Sequence, residues 1–141
     1  MTVRAFVDTN VFGYLFQADE PEKQAVAREV AGSDQVTREL VVSTQVLQEF
    51  YVTVTRKLAE PLSPEEAAAA TRKLGEYTVA RIDPAMVYRA IDLSQRHTVS
   101  FWDALILRAA IESGCEVLLT EDLHDGWEVE GVRVENPFRS R

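Results

Sequence analysis

The chain has 141 residues, 46% of them hydrophobic and 27% charged, which suits one globular domain over residues 1–141 and excludes two domains of ordinary size. Its formal net charge of −8 argues against a generic polyanion-binding module, which usually has a basic surface. Its single cysteine excludes an internal disulfide, and no apolar run reaches the roughly 18 residues of a membrane span, so we expect a cytoplasmic protein without a membrane segment.

The first half of the chain alternates short apolar runs with helical patterns. The first run stops abruptly at Asp8-Thr9-Asn10, and Ser63 with Glu66 has the spacing of a helix capping box. The elements predicted here are a strand at 3–7, a short helix at 10–16, a helix at 21–31, a strand at 40–42, a long helix beginning at 43 or 44, and a helix at 64–74.

The second half repeats this alternation. The elements predicted here are a strand near a sheet edge at 77–82, a helix at 84–97, an apolar helix from 100 to about 113, a strand at 116–119 and a short strand at 132–134. Strands that alternate with helices predict an α/β fold, with a parallel sheet of four to five strands flanked by helices on both faces. The two helices within 44–75 are expected to form an inserted helical hairpin.

Two aspartates occupy positions where helix capping and chemistry compete. Asp8 follows a strand, so it can cap the next helix or belong to a site at the carboxyl edge of the sheet, and the sequence alone does not choose. Asp103 lies in the first turn of the most apolar helix, where a buried carboxylate needs a partner. Ser100 offers it a capping box, but the charge would stay partly uncompensated, so we interpret Asp103 as a site residue.

The other acids give weaker signals. Asp122 follows a strand, but Thr120, Glu121 and Asp125 can occupy the same turn, so spacing does not decide which faces a site. Glu49 lies away from the apolar stripe of its helix, and periodicity alone favours a solvated side chain. Carboxylates gathered at one sheet edge repel one another, and a divalent cation removes the conflict. Oxygen-only ligands favour Mg²⁺ or Mn²⁺ over zinc.

Four pieces of the sequence, in order, carry a resemblance to a known family. They are Asp8-Thr9-Asn10 after the first strand, Ser43-Thr44-Gln45-Val46-Leu47-Gln48-Glu49-Phe50, Phe101-Trp102-Asp103-Ala104, and Leu118-Leu119-Thr120-Glu121-Asp122. Together, and over essentially the whole chain, they resemble the PIN domain and specifically the VapC-like toxins of bacterial and archaeal toxin–antitoxin pairs.

The resemblance implies a catalytic quartet of acids, namely Asp8, Glu49, Asp103 and Asp122. The first and third would be the firmest ligands of Mg²⁺ or Mn²⁺, and the other two would join directly or through water. Three polar residues match positions that would orient carboxylates, water or phosphate: Thr9, Asn10 and Thr120. A water activated by the cation would attack the scissile phosphorus in line and leave a 5′-phosphate.

The resemblance also implies a function and partners. The protein would be a metal-dependent endoribonuclease that cuts tRNA, rRNA or mRNA. It would form a homodimer and would be silenced by a VapB-like antitoxin whose helices wrap the hairpin region.

Substrate contacts are predicted from basic and aromatic residues, although surface Arg and Lys are mostly just solvated. The basic candidates are Arg56-Lys57, Arg72-Lys73, Arg96 and Arg139 with Arg141. Tyr51 or Trp102 could stack a base, but we interpret Trp102 as a core residue. His97 and His124 are interpreted as surface or structural residues without a catalytic partner.

Three alternatives stay open. A PIN-fold nuclease without an antitoxin, for instance one that processes RNA, would share the same site. A haloacid-dehalogenase-type phosphatase also begins with Asp at the end of its first strand, but it needs a second Asp where this chain has Asn10. A non-catalytic phospho-receiver module needs paired acids near the first strand and a lysine at the last strand, and neither is visible.

Overall fold

The computed structural model describes residues 2–34 and 36–139. Residues 1, 35, 140 and 141 lie outside this description. A single domain over residues 1–141 therefore stays a prediction. In chain order the elements are β1 (Val3–Val7), α1 (Thr9–Gly13), a 3₁₀ turn (Tyr14–Phe16), α2 (Pro21–Ala31), β2 (Arg38–Ser43), α3 (Thr44–Arg56), α4 (Pro64–Leu74), β3 (Thr78–Ala80), α5 (Pro84–His97), α6 (Phe101–Glu112), β4 (Val117–Leu119), β5 (Glu128–Val129) and β6 (Val132–Glu135).

The strands form one sheet in the order β3-β2-β1-β4-β6-β5. All neighbouring pairs are parallel except the hairpin of β5 and β6. The predicted α/β fold with a parallel sheet flanked by helices is confirmed, and β3 lies at a sheet edge as expected. The predicted strand count of four to five is one short, because β5 has two residues and leaves no pattern to read. Glu130 and Gly131 join β5 to β6 with φ of 47° and 87°, the left-handed backbone of a tight hairpin turn.

The sheet extends from β1 in two opposite directions. The chain first places β2 and β3 on one side of β1, then returns through α5 and α6 and places β4 on the other side. Open α/β sheets bind ligands outside the carboxyl ends of their strands where the strand order reverses in this way. Val7 of β1 is in register with Leu119 of β4, so Asp8 and Thr120 emerge side by side at this point.

Capping residues determine where the helices begin. Ser43 ends β2 and accepts a hydrogen bond from the Val46 backbone N–H at 3.3 Å, so α3 begins at the carboxyl edge of the sheet. Ser63 and Glu66 exchange the two hydrogen bonds of a capping box, as the sequence predicts. Helices α3 and α4 pack against each other as the inserted hairpin between β2 and β3.

The hydrophobic core lies between the sheet and the helices. Phe6, Phe12 and Phe50 are among its largest fully buried side chains, and α6 is buried throughout 104–110. That stretch includes Arg108, whose guanidinium forms ion pairs with the carboxylates of Glu112 and Glu130 at 2.8 and 3.2 Å. Among the described residues, every helix is too short or too polar to cross a bilayer.

Candidate active site

A cavity of about 710 Å³ opens beyond the carboxyl ends of β1 and β4. The loops after both strands and the helices α3 and α6 contribute its walls. Its described lining contains the carboxylates of all four predicted acids and one more, Asp8, Glu49, Asp103, Asp122 and Glu121. Lys57 is the only Lys or Arg in that described lining, so the cavity is strongly acidic.

Asp8 is both a helix cap and a cavity residue, so the two readings of its sequence position hold together. Its Oδ1 accepts a hydrogen bond from the Thr9 backbone N–H at 2.7 Å. Its Oδ2 accepts one from the Thr120 hydroxyl at 2.8 Å, and the Asn10 side-chain amide lies 3.4 Å away. These contacts orient the carboxylate, which is only 5% exposed.

Burial raises the pKa of Asp8 to about 7. The hydrogen bonds from Thr120 and from the Thr9 backbone lower the pKa, and the nearby charges of Asp122 and Glu49 raise it. The carboxyl group is therefore only about half-ionised near neutral pH, and positive charge that enters the cavity would favour its ionised form.

Glu49 lies in the second turn of α3 and faces the cavity. Its Oε1 accepts a hydrogen bond from the Thr9 hydroxyl at 2.9 Å, and its Oε2 accepts one from the Gln45 amide at 3.1 Å. The solvated side chain that helical periodicity favours is not observed, because Thr9 at the start of α1 holds this carboxylate. Only the family resemblance had selected Glu49.

Asp103 is half-buried in the first turn of α6. Its backbone N–H donates to the Ser100 hydroxyl at 3.1 Å, which forms the predicted cap. Burial raises the pKa of Asp103, the Ser100 hydroxyl lowers it, and the charges of Asp122 and Glu49 raise it further. The same two neighbours therefore act on Asp8 and on Asp103, which ties the quartet into one electrostatic group.

In the turn after β4, Glu121 and Asp122 both line the cavity. Asp122 Oδ2 accepts a hydrogen bond from the Asn10 amide at 2.9 Å, and its backbone N–H donates to Thr120 Oγ1 at 3.1 Å. The Asn10 amide also donates to Thr120 Oγ1 at 3.2 Å. Asp125 is absent from the cavity lining and accepts instead from the Asn136 backbone N–H at 2.8 Å.

A second polar network borders the cavity, and the sequence reading missed it. The Tyr14 hydroxyl donates to Glu121 Oε1 at 2.5 Å, and Lys23 Nζ lies 3.0 Å from Glu121 Oε2 and 3.1 Å from the Tyr14 hydroxyl. Phe138 packs edge-on against the Tyr14 ring, with the centroids 4.9 Å apart. No local signal links these residues, because 98 positions separate Lys23 from Glu121.

The acids share a cavity but do not form a finished ligand cage. Within residues 2–34 and 36–139, no three His, Cys, Asp or Glu side chains are arranged to hold a metal ion as they stand. Three of the acids instead accept hydrogen bonds from neighbouring side chains: Glu49 from Thr9, Asp122 from Asn10 and Asp8 from Thr120.

The interpretation of Trp102 as a core residue is wrong. It is 62% exposed and lines the cavity, whereas 104–110 of the same helix are buried. It lies in the first turn of α6, before the helix enters the core, which is why an apolar sequence context did not imply burial.

The basic residues predicted to contact substrate lie in different places. Lys57 lines the cavity, Arg96 instead pairs with Asp92 at 2.9 Å, and Arg141 lies outside the described residues. His97 and His124 are exposed and are absent from the described cavity lining, and their predicted structural role stays a prediction.

A comparison with family models matches residues 5–124 to the model described as PIN domain. This match spans all four predicted acids. A comparison with curated proteins finds no match.

Solved structures share the fold at low sequence identity. A toxin–antitoxin complex from Klebsiella pneumoniae superposes with a TM-score of 0.67 and 22% identity, covering 94% of this chain and 97% of that chain. DNA-bound VapBC from Salmonella typhimurium gives 0.64 and 19%, covering 96% and 99%. VapC20 from Mycobacterium tuberculosis, described as a Sarcin-Ricin loop cleaving toxin, gives 0.60 and 20%, covering 81% and 86%.

Proposed function

This chain belongs to the PIN domain family, and we propose that it is a divalent-cation-dependent endoribonuclease that acts as the toxin of a VapBC-type pair. The observation that carries the proposal is the convergence of Asp8, Glu49, Asp103 and Asp122 on one cavity at the switch point of the sheet. The charges of Asp122 and Glu49 raise the pKa of Asp8 and of Asp103, so a ligand of opposite charge in the cavity would relieve this repulsion.

The cavity fits a hard divalent cation by its chemistry. Its ionisable ligands are carboxylates, with no Cys or His in the described lining, and such oxygen donors suit Mg²⁺ or Mn²⁺. Asn10 Oδ1 is a buried acceptor without a hydrogen-bond partner among the described residues, close to Asp8 and Asp122. The site thus holds more acceptor oxygens than its own donors satisfy.

Each site residue has a defined part in this proposal. Asp8 and Asp103 would hold the cation, and Glu49 and Asp122 would join directly or through water. When bound, the cation supplies Lewis acidity toward phosphate oxygens and water and charge to offset the negative transition state. Thr9 and Thr120 keep the carboxylates oriented through the hydrogen bonds described above, so little reorganisation is needed when RNA arrives.

Hydrolysis at such a site leaves a 5′-phosphate and a 3′-hydroxyl. A cyclising ribonuclease instead uses histidines to activate the ribose 2′-hydroxyl, and both histidines of this chain lie outside the described cavity lining. The product ends therefore separate the proposed chemistry from the commonest alternative for RNA cleavage.

The proposed toxin role is supported by the solved structures that share this fold. Solved neighbours are described as VapBC complexes or as a toxin that cleaves the sarcin–ricin loop. We extend to this chain a cytoplasmic RNA target, a VapB-like antitoxin and a homodimer. An acidic cavity suits an inhibitor with a basic segment, because complementary charge guides association.

The test is cleavage of purified tRNA and rRNA with Mg²⁺, with Mn²⁺ and with EDTA. We expect cleavage that yields 5′-phosphate ends and that EDTA abolishes, and we expect Asp8→Asn and Asp103→Asn to be inactive. Asp19→Asn makes the same chemical change at an exposed carboxylate outside the described cavity lining and should remain active. Activity of Asp8→Asn in EDTA would overturn the metal-dependent mechanism.

A PIN nuclease without an antitoxin is the second candidate, since it would use the same cavity. Growth arrest on expression, reversed by co-expression of a neighbouring short reading frame, favours the toxin. RNA cleavage without growth arrest favours the stand-alone nuclease.

A further inference from the structure

Trp102 presents an aromatic face at the rim of the acidic cavity. The residue is 62% exposed, and Val52, another exposed apolar residue, lines the same cavity. A ligand that covers this indole would remove apolar surface from water, which favours binding at this rim of the cavity.

The backbone that carries this indole is tied to the acids. The Gln45 amide donates to the Trp102 carbonyl at 3.2 Å and to Glu49 Oε2 at 3.1 Å. The Phe101 ring packs edge-on against the indole, with the centroids 5.1 Å apart. These contacts hold the backbone of Trp102 next to the cavity acids and place the Phe101 ring against the indole.

The charge of the cavity decides which ligand chemistry the indole suits. Five carboxylates and Lys57 line the described cavity, so phosphate groups find little direct ionic attraction there. A flat base can stack on an aromatic face whatever the sign of the nearby charge. In the proposed complex the scissile phosphate would lie with the cation at the acids, and the neighbouring base would contact Trp102, which lines the same cavity.

We propose that Trp102 forms a stacking subsite for an unpaired nucleobase next to the scissile phosphate, and this rests on the proposed ribonuclease function. A base can cover the indole only when it is splayed out of a helix, so the subsite selects single-stranded segments and loops. Val52 and Ile106 add apolar surface within the same cavity.

Binding is tested in EDTA with an Asp8→Asn, Trp127→Phe protein, which should not cleave RNA and in which Trp102 is the one remaining tryptophan. The probes are a short oligoadenylate RNA and an abasic RNA backbone of equal length. We expect oligoadenylate to quench the fluorescence and to bind roughly tenfold more tightly than the abasic strand. The variants Trp102→Ala and Trp102→Phe are compared in Asp8→Asn protein by the polarisation of 5′-labelled strands, because they lack the reporting tryptophan. Trp102→Ala should remove the difference between the two strands, and Trp102→Phe should keep most of it.

Cleavage kinetics provide the second test in otherwise wild-type protein. Trp102→Ala should raise KM for single-stranded RNA roughly tenfold and leave kcat nearly unchanged. The reason is that stacking stabilises the bound substrate and the transition state equally. Tyr88→Ala removes another exposed aromatic, on α5 and outside the described cavity lining, and should change neither constant. Thermal unfolding verifies that each variant is folded.

Two results would overturn the subsite. The first has two parts: Trp102→Ala cleaves RNA with the wild-type KM in an EDTA-sensitive reaction, and the Asp8→Asn, Trp127→Phe protein binds oligoadenylate and abasic RNA equally. The other is a Trp102→Ala change confined to the monomer–dimer ratio, which would place the indole in a protein contact. Either leaves the proposed nuclease intact. Conversely, if the wild type cuts no RNA, that function fails, and the fluorescence titration still decides whether bases stack on Trp102.

Discussion

The Thr120 hydroxyl donates a 2.8 Å hydrogen bond to Asp8 Oδ2 and so joins two strand ends that lie 112 residues apart in the chain. Thr120 Oγ1 also accepts from the Asp122 backbone N–H and from the Asn10 amide. One fully buried hydroxyl thus connects two of the four acids.

Thr120→Val tests that connection with nearly the same side-chain shape. The hydrogen bond lowers the pKa of Asp8, so its loss should raise that pKa further and move the acid limb of the pH–kcat/KM profile to higher pH. Unpairing these buried groups should cost about 1–3 kcal/mol in the free energy of unfolding. Thr120→Ser keeps the hydroxyl and should restore the profile. An unshifted acid limb in Thr120→Val would contradict the argument.

The pKa of Asp8 predicts that the metal-free protein loses stability as pH rises. The folded carboxyl holds its proton up to about pH 7, whereas in the unfolded chain it ionises near 3.8, so between these values the folded state binds more protons. The free energy of unfolding should fall by up to about 4 kcal/mol over this range, at about 1.4 kcal/mol per pH unit. Asp103 adds a change of the same sign. Urea unfolding in EDTA at several pH values measures the slope, which Asp8→Asn should reduce strongly.

Divalent cations should stabilise the folded protein. Binding confined to the folded state adds about 2.7 kcal/mol when the free cation is a hundredfold above its dissociation constant. Differential scanning calorimetry should show a higher Tm with Mg²⁺ or Mn²⁺ and reversal by EDTA. Asp8→Asn and Asp103→Asn should lose the shift and Asp19→Asn should retain it. An equal shift in all three variants would mean that the cations bind elsewhere.

Tyr14→Phe should weaken catalysis through the turn after β4. The substitution removes the 2.5 Å hydrogen bond to Glu121 and leaves Lys23 as the remaining described contact of that carboxylate. Glu121 precedes Asp122, so we expect kcat/KM to fall several-fold while stability falls by about 1–3 kcal/mol. Tyr88→Phe removes a hydroxyl from an exposed ring and serves as the control. Wild-type kcat/KM in Tyr14→Phe would show that the network does not support catalysis.

Arg108→Met should affect stability and spare activity. The buried guanidinium holds Glu112 and Glu130 and is absent from the described cavity lining, so we expect a loss of about 2–4 kcal/mol with kcat/KM unchanged. Arg89 and Arg108 lower the pKa of Glu112 to about 2. That stabilisation is complete above the unfolded value near 4.5 and is lost as pH falls toward 2, so the deficit of the variant should shrink in acid. Chemical denaturation at neutral and low pH measures it.

Element boundaries were predictable because they depend on near neighbours. The Ser63 and Glu66 capping box acts within about one helical turn, and the structure has it as expected. The strand β5 was not predicted, because it has only two residues and is defined by its pairing with β6 rather than by a pattern of its own.

The site was predictable in part. Asp8 and Asp103 were suggested by their own surroundings, whereas Glu49 needed the family resemblance, because its helical angle pointed to solvent. Its actual partner, Thr9, lies 40 residues away. The catalytic roles of all four acids remain predictions for the experiments above.

The order of apolar runs, caps and strand ends in the sequence by itself determined the α/β alternation and brought acids to one sheet edge. Only the tertiary structure decided that Trp102 stands in solvent, that Tyr14 and Lys23 hold Glu121, and that the pKa of Asp8 lies near 7. The reason is physical: burial and electrostatic coupling depend on groups that are distant along the chain and meet only when it folds.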